Sequence, residues 1–421
     1  MSVIRIGDRQ LIKEMNIALV LNAIRQNEPI ARVDLSKHTG LGRSTVTGII
    51  NRLLKEGLVS ESGSAEAPAG RKPVLLTFNA TALYVVGVKV GPRSATVAML
   101  DMNAEVYHTQ EIPLSPSKGA EAMLNTLRSA IETAITQTGI EREKVLGVGL
   151  VMPGVVDPST GVAITSYFLG WSNLPIRDLL EQALELPVFV DNDANAMALA
   201  EAHYGAGRGF ADILALTVGV GVGAGIIIGG QIHRDARFSA GELGHICIMP
   251  DGPVCGCGRK GCLEALAADA AIVRAAREAV EAGRSDLLRA MVQGHPELIT
   301  REIVVEAALE GDPVSQTILA ECGRWLGTAV ANAVNLFSPS RIVVGGEAVL
   351  QAGDLILEPM RQQLAKVVFP SMPEDLLVVP AALGQHAWVK GAASLVLADV
   401  FQVPLHRGQN QAIARRVGQN E

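Results

Sequence analysis

Aromatic residues make up only 4% of this 421-residue chain, and cysteine occurs five times. No uncharged apolar run approaches the roughly 18 to 20 residues that a membrane-spanning helix needs. Each scarcity excludes something. With hydrophobic content at 48%, a core poor in rings must be built from Val, Ile, Leu and Ala. So few cysteines exclude a disulfide-stapled secreted scaffold. The missing apolar run excludes membrane insertion, and a polar N-terminus without a leader pattern points to a cytoplasmic protein. The length suffices for two or three domains, each with its own core.

Charge is unevenly placed. The net charge is −7, yet residues 1–80 hold 11 Lys/Arg against 7 Asp/Glu. The first segment is therefore +4 and the remainder −11. Such asymmetry suits a head that meets nucleic acid on an acidic body.

The scarce cysteines are concentrated. Four of the five fall between Ala240 and Glu264, a Gly-rich stretch that also holds His245. His245, Cys255, Cys257 and Cys262 supply one imidazole and three thiolates, the donor set of a closed tetrahedral structural zinc site. Four protein ligands leave no open position for catalysis. Glycines at 256, 258 and 261 let the backbone turn tightly enough to aim the sulfurs inward. Cys247, two residues past His245, is a possible substitute ligand, and Cys322 reads as ordinary core.

Residues 1–80 carry the signals of a DNA reader. Ile17, Val20, Leu21 and Ile24 form an i, i+3, i+4, i+7 stripe on a first helix. After Pro29, Arg32 to Thr39 reads as a short helix, Gly40-Leu41-Gly42 as a turn, and Arg43 to Glu56 as a second helix. Val46, Ile49, Ile50 and Leu53 repeat the buried stripe there. This is helix-turn-helix spacing. It places Arg43, Ser44, Thr45 and Thr47 at the exposed start of the second helix, where they can reach phosphates and base edges in a major groove. Leu58-Val59 and Val74 to Phe78 are expected to be strands of a wing. Arg71 and Lys72, beside glycine and proline, suit a phosphate or minor-groove contact.

From residue 81 the pattern becomes strand, glycine, helix. Tyr84 to Val90 and Ala95 to Leu100 form a hairpin. Leu146 to Met152, Ile213 to Val218 and Arg341 to Val344 each run into glycine, which indicates an α/β body with ligands at the strand ends.

Three motifs in this body carry a specific resemblance: Asp191-Asn192-Asp193-Ala194-Asn195-Ala196, Gly241-Glu242-Leu243-Gly244-His245, and Cys255-Gly256-Cys257-Gly258 through Gly261-Cys262-Leu263-Glu264. Together they resemble the signature of the ROK family of repressors and sugar kinases. With the winged head, nearly the whole chain is similar to the repressor branch of that family. The resemblance implies a two-lobed, actin-like and hexokinase-like body with a zinc clip next to a sugar site, in oligomers that bind operators. Sugar hydroxyls both donate and accept, so a pocket needs carboxylates, amides and an imidazole converging on one point. Asn192, Asp193, Glu242, His245 and Glu264 form that set. His245 would bind zinc through one nitrogen and leave the other for a hydroxyl.

The kinase pattern breaks in the first hairpin. A kinase of the family would read Asp-x-Gly-Gly-Thr where this chain has Lys89-Val90-Gly91-Pro92-Arg93. Lysine replaces the acid, and Pro92 removes a backbone N–H from the phosphate cradle. Val220 stands where kinases place a threonine, and Tyr167 falls where many relatives have a sugar-contacting asparagine. The expectation is therefore a non-enzymatic transcriptional repressor of carbohydrate genes, controlled by a sugar or sugar-phosphate effector bound between the lobes. It would act on a double-stranded operator as a homodimer or homotetramer. An active carbohydrate kinase with an accessory head is the alternative. The expected domains are a winged helix-turn-helix at 1–80, a first lobe at 81–200 with 385–406, and a second lobe at 201–384.

Overall fold

The computed structural model describes residues 9–64, 74–370 and 377–401. The chain forms two compact units. One contains the described residues up to Asp191 and those from Ala392 onward, and the other runs Asn192–Gly391.

The first unit opens with α1 (Arg9–Asn27), β1 (Ile30–Ala31), α2 (Arg32–Thr39), α3 (Arg43–Lys55), β2 (Val59–Ser64) and β3 (Val74–Phe78). Val20, Leu21 and Ile24 of α1 are buried with Leu35 of α2 and with Val46, Ile49, Ile50 and Leu53 of α3. Three helices thus share one small aliphatic core. The strands complete it as a sheet of order β1-β3-β2. This is a winged helix-turn-helix, with α3 as its second helix.

Beyond it lie β4 (Tyr84–Val90), β5 (Ser94–Asp101), β6 (Val106–Pro113), α4 (Ala120–Thr138), β7 (Val145–Met152), β8 (Val155–Asp157), β9 (Val162–Ser166), β10 (Trp171–Leu174), α5 (Ile176–Leu184) and β11 (Val188–Asn192). A five-stranded sheet runs β11-β7-β4-β5-β6. β4, β5 and β6 form an antiparallel meander, and β7 lies parallel to β4. Every residue of β7 is buried, which is why it reads as an unbroken apolar run, whereas β6 alternates half-buried and exposed residues. A small sheet of order β10-β9-β8 follows.

The second unit begins with α6 (Asp193–Tyr204), β12 (Ile213–Val218), β13 (Val222–Ile228) and β14 (Gln231–Ile232). Next come α7 (Leu263–Ala267), α8 (Asp269–Glu281), α9 (Asp286–Met291), α10 (Arg301–Leu309), α11 (Pro313–Phe337), β15 (Arg341–Gly345), α12 (Glu347–Ala352), α13 (Asp354–Val367) and β16 (Leu377–Pro380). Its sheet runs β14-β13-β12-β15-β16, with β12, β15 and β16 parallel and β13 antiparallel to β12. Leu216, Val218, Leu263, Ile272, Leu319, Leu326, Ile342 and Val344 belong to one aliphatic core between sheet and helices.

One carboxylate inside this unit ties distant segments together. Glu201 of α6 is fully buried, and its oxygens accept from the backbone N–H groups of Ala206 at 2.8 Å, Ala382 at 3.1 Å and Leu383 at 2.9 Å. Removing it orphans three donors at once. Glu201→Ala is expected to lower unfolding stability by about 3 kcal/mol or more, since each of the three unsatisfied groups costs about 1–3 kcal/mol. Urea denaturation measures this, and a loss below about 1 kcal/mol would mean that water replaces the carboxylate.

The chain ends its described part in α14 (Ala387–Phe401). Ala392, Ala393, Val396 and Leu397 are buried. A Cβ on Gly149 of β7 would stand 1.8 Å from the carbonyl oxygen of Ala392, so the strand accepts this helix only with glycine there. At the far end of α14, the carbonyl of Phe401 accepts from Asn22 Nδ2 at 2.6 Å. The Phe401 ring meets Phe78 edge-on at 6.0 Å and lies 4.3 Å from the Arg25 guanidinium carbon. The head is thereby fastened to the last turn of the body's own helix.

Candidate functional site

The centre of the second unit is the loop that follows β14. The sulfur of Cys255 lies 3.7 Å from His245 Nδ1, and the sulfurs of Cys257 and Cys262 lie 3.7 Å apart. All four ligand atoms fall within 4.8 Å of one another. A tetrahedral zinc with bonds of about 2.3 Å to sulfur and 2.0–2.1 Å to nitrogen would give edges of about 3.8 Å and 3.6 Å. The two 3.7 Å edges match those lengths, and the spread of up to 4.8 Å leaves the four atoms close enough to hold such an ion.

Local backbone chemistry explains the arrangement. Cys255 N–H donates to Arg259 O at 2.7 Å, and Gly258 N–H donates to Cys255 O at 2.9 Å, closing a turn around Cys257. Gly258 has φ +86° and Gly261 φ +70°. At Gly261 a Cβ would lie 1.5 Å from Met249 O, so only glycine permits the two segments to meet. Gly256 carries no such requirement, for a Cβ there meets nothing within 4 Å. Gly261 is therefore obligatory, and Gly258 is favoured by its positive φ.

The thiols differ in character. Burial pushes Cys255 up to about 12, whereas the Arg259 backbone N–H is the chief cause drawing Cys257 down to about 6. Without a cation, three thiolates would not coexist here. A divalent ion would supply the charge that lets all three act as ligands.

The acidic set adjoins the clip. His245 turns Nδ1 to the Cys255 sulfur and Nε2 toward Glu242, whose Oε2 lies 3.8 Å away. Glu264 sets Oε1 3.6 Å from the Cys255 sulfur and accepts from Val222 N–H through Oε2 at 3.2 Å, which ties the clip to the start of β13. Glu242 keeps 41% of its side chain exposed. Its carboxyl is nevertheless raised above the ordinary range, chiefly by desolvation and further by the Asp193 and Glu264 carboxylates, against the opposing pull of His245. These groups sense one another's charge.

Asn192 has a duty that its sequence motif does not disclose. Its Oδ1 caps α6, accepting from Ala194 N–H at 2.8 Å and Asn195 N–H at 3.2 Å. Asp193 Oδ1 likewise accepts from Ala194 N–H at 2.9 Å. The start of α6 is thus held rigid where both residues stand. Tyr167 is 74% exposed at the turn joining β9 to β10.

In the head, Arg43, Ser44, Thr45 and Thr47 are all exposed, on the face of α3 opposite its buried stripe. The residue before the helix is Gly42, and among the described residues no side-chain cap closes the first turn. The N–H groups of that turn suit a phosphate. Arg71 and Lys72 lie outside the described residues.

A winged helix-turn-helix joined to an actin-like, hexokinase-like body with a Cys3His cluster defines the class. Residues 85–399 match the profile of the ROK family, and residues 19–60 match a winged helix-turn-helix DNA-binding profile. The chain belongs to the ROK family. It is similar to the xylose repressor of Caldicellulosiruptor bescii, at 32% identity over 94% of this chain and 99% of that protein. It also matches the DNA-binding transcriptional dual regulator NagC of Escherichia coli, at 29% identity over 93% of this chain and 94% of that one. Among solved structures, a ROK family transcriptional regulator homologous to the E. coli MLC protein superposes with a TM-score of 0.82 at 30% identity, covering 94% of this chain and 98% of its own. A ROK family glucokinase from Streptomyces griseus, in complex with glucose and AMPPNP, superposes with a TM-score of 0.68 at 34% identity, covering 74% and 98%. No helix among the described residues is long and apolar enough to cross a membrane.

Proposed function

We propose that this protein is a DNA-binding transcriptional repressor of carbohydrate-metabolism genes, acting in the cytoplasm as a homodimer or homotetramer. Residues 1–80 form the reading head. A sugar or sugar-phosphate effector binds at Asn192, Asp193, Glu242, His245 and Glu264, and shifts the balance between operator-competent and incompetent conformations. The observation that carries this reading is His245, whose Nδ1 lies 3.7 Å from the Cys255 sulfur of the quartet while Nε2 faces a carboxylate of the acidic set. Repressor names among the relatives support it further.

Zinc is the ion assigned to the clip, held by His245, Cys255, Cys257 and Cys262. When bound it supplies structure rather than a reacting centre, because four protein ligands fill a tetrahedral shell. The residues themselves do the rest. His245 is locked in one orientation, and Glu242 and Glu264 present acceptors beside its remaining nitrogen.

The kinase alternative draws on the glucokinase neighbour and on the Asn192-Asp193 pair. Against it stands the turn between β4 and β5, Gly91-Pro92-Arg93, where the Gly91 N–H is already spent on Ser94 O at 2.8 Å and Pro92 offers none. Phosphoryl transfer depends on such donors and on an organised metal. A screen of free and phosphorylated sugars by thermal shift should find a stabilising ligand, and Glu242→Ala should weaken it about 10- to 100-fold, the equivalent of one charged hydrogen bond. Sugar-dependent ATP hydrolysis should be absent. Turnover of about 1 per second or more, lost in Asp193→Asn, would instead establish the kinase.

A further inference from the structure

The fourth cysteine of the stretch, Cys247, stands outside the metal quartet, its thiol donating to Lys260 O at 3.7 Å. Cys247 pairs with Cys262 across an isolated antiparallel bridge. That bridge is flanked by Leu263 N–H donating to Ile246 O at 3.0 Å and Ile248 N–H donating to Gly261 O at 2.8 Å. Bonds on both sides, and none between the paired residues, define the narrow, non-hydrogen-bonded type of antiparallel pair, with Cα atoms about 4.5 Å apart. A disulfide accepts Cα separations of about 4.4–6.8 Å. Directly opposed side chains in such a pair project from the same side of the ribbon.

We propose that Cys247 is a redox partner for the metal ligand Cys262, and that hydrogen peroxide joins them in a disulfide that takes one thiolate from the clip. Of the five thiols only Cys247 is exposed, so an oxidant reaches it first. Cys262 is 1% exposed and is committed to the quartet. The chemistry balances in two steps. Cys247 sulfur displaces water from the peroxide and becomes a sulfenic acid. Cys262 sulfur then attacks it, the S–S bond forms as the S–O bond breaks, and the oxygen leaves as a second water. Both sulfurs together lose two electrons, and the peroxide gains them. With that thiolate taken, only His245, Cys255 and Cys257 would remain to hold the metal, and the clip would lose affinity for it. Because His245 also belongs to the quartet, its ring is no longer fixed beside Glu242 once the metal leaves.

This inference rests on the proposed zinc clip, and the experiment separates the two. Full-length protein is assayed for zinc as purified, then titrated with hydrogen peroxide while a chromogenic chelator reports released metal and non-reducing peptide mapping locates disulfides. Wild type should release its zinc in step with a Cys247–Cys262 peptide, and dithiothreitol with added zinc should reverse both. Cys247→Ser should hold its zinc at the same dose, with Cys247→Ala as a second variant should the serine perturb the loop. Zinc release from Cys247→Ser as fast as from wild type would overturn the proposal, as would a disulfide mapped within Cys255, Cys257 and Cys262. Oxidation of Cys247 with full retention of zinc would overturn it equally. Protein purified without zinc would defeat the clip reading, leaving the pairing to stand or fall on the peptide map.

Discussion

Cys257→Ser is expected to reduce bound zinc from close to one per chain to none, and to loosen residues 241–264 while the aliphatic core of the second unit survives. The magnitude follows from what the ion does. Structural zinc contributes about 10 kcal/mol or more of apparent binding free energy in small Cys/His sites, and most of it disappears with one thiolate. The Cys257 sulfur lies 3.7 Å from that of Cys262, so its loss opens an edge of the tetrahedron. Cys255, pushed up to about 12 by burial, would then revert to a neutral thiol. Elemental analysis and amide exchange across the loop measure both effects. Effector binding should fall as well, because His245 loses its anchor. Native protein purified under reducing, chelator-free conditions with no metal would sink the assignment.

The second large effect concerns the head. Arg43→Ala and Thr47→Ala are expected to weaken binding to the cognate operator by about 10- to 100-fold each and to relax sequence preference, since a good base-edge contact is worth about 1–3 kcal/mol of discrimination. Neither change touches the buried stripe of α3, so the helix should persist by circular dichroism. Arg71→Ala should behave differently, weakening all sequences alike and lowering the salt slope by about one phosphate contact. The operator should be pseudo-palindromic, with half-sites about one or two helical turns apart to match a two-fold dimer. Fluorescence anisotropy across a salt series distinguishes the two classes of contact. If deleting residues 1–80 leaves specific binding intact, the head is not the reader.

Elements whose patterns are local were legible in the sequence. The start of α3 at Arg43, the turn before it, β4 at Tyr84–Val90 and β12 at Ile213–Val218 follow from periodicity, glycine punctuation and continuous apolar runs. The cysteine spacing likewise announced a cluster that the fold brings together. Elements whose meaning depends on remote partners were not legible. Glu201 sits in an ordinary helical stretch, and its importance comes from Ala382 and Leu383, some 180 residues away. Asn192 is a different, local case: its motif marks a pocket amide and does not disclose that its Oδ1 also caps α6, accepting from N–H groups two and three residues on. The face-to-face placement of Cys247 and Cys262 arises from strand register, which spacing alone does not fix.

The seating of α14 on Gly149 also sets an order of events during synthesis. The first unit is interrupted after Asp191 and resumes only at Ala392, roughly 200 residues later. At about 5–20 residues per second, a translating ribosome needs about 10–40 s to deliver the missing piece. Through that interval β7 has nothing from α14 against its glycine, and the head lacks the Phe401 carbonyl that Asn22 will bond. The DNA-reading segment emerges first but is clasped last. A nascent chain therefore holds an unfastened head until α14 leaves the exit tunnel, and a stop codon placed before Ala392 would leave that first-made domain permanently without its clasp.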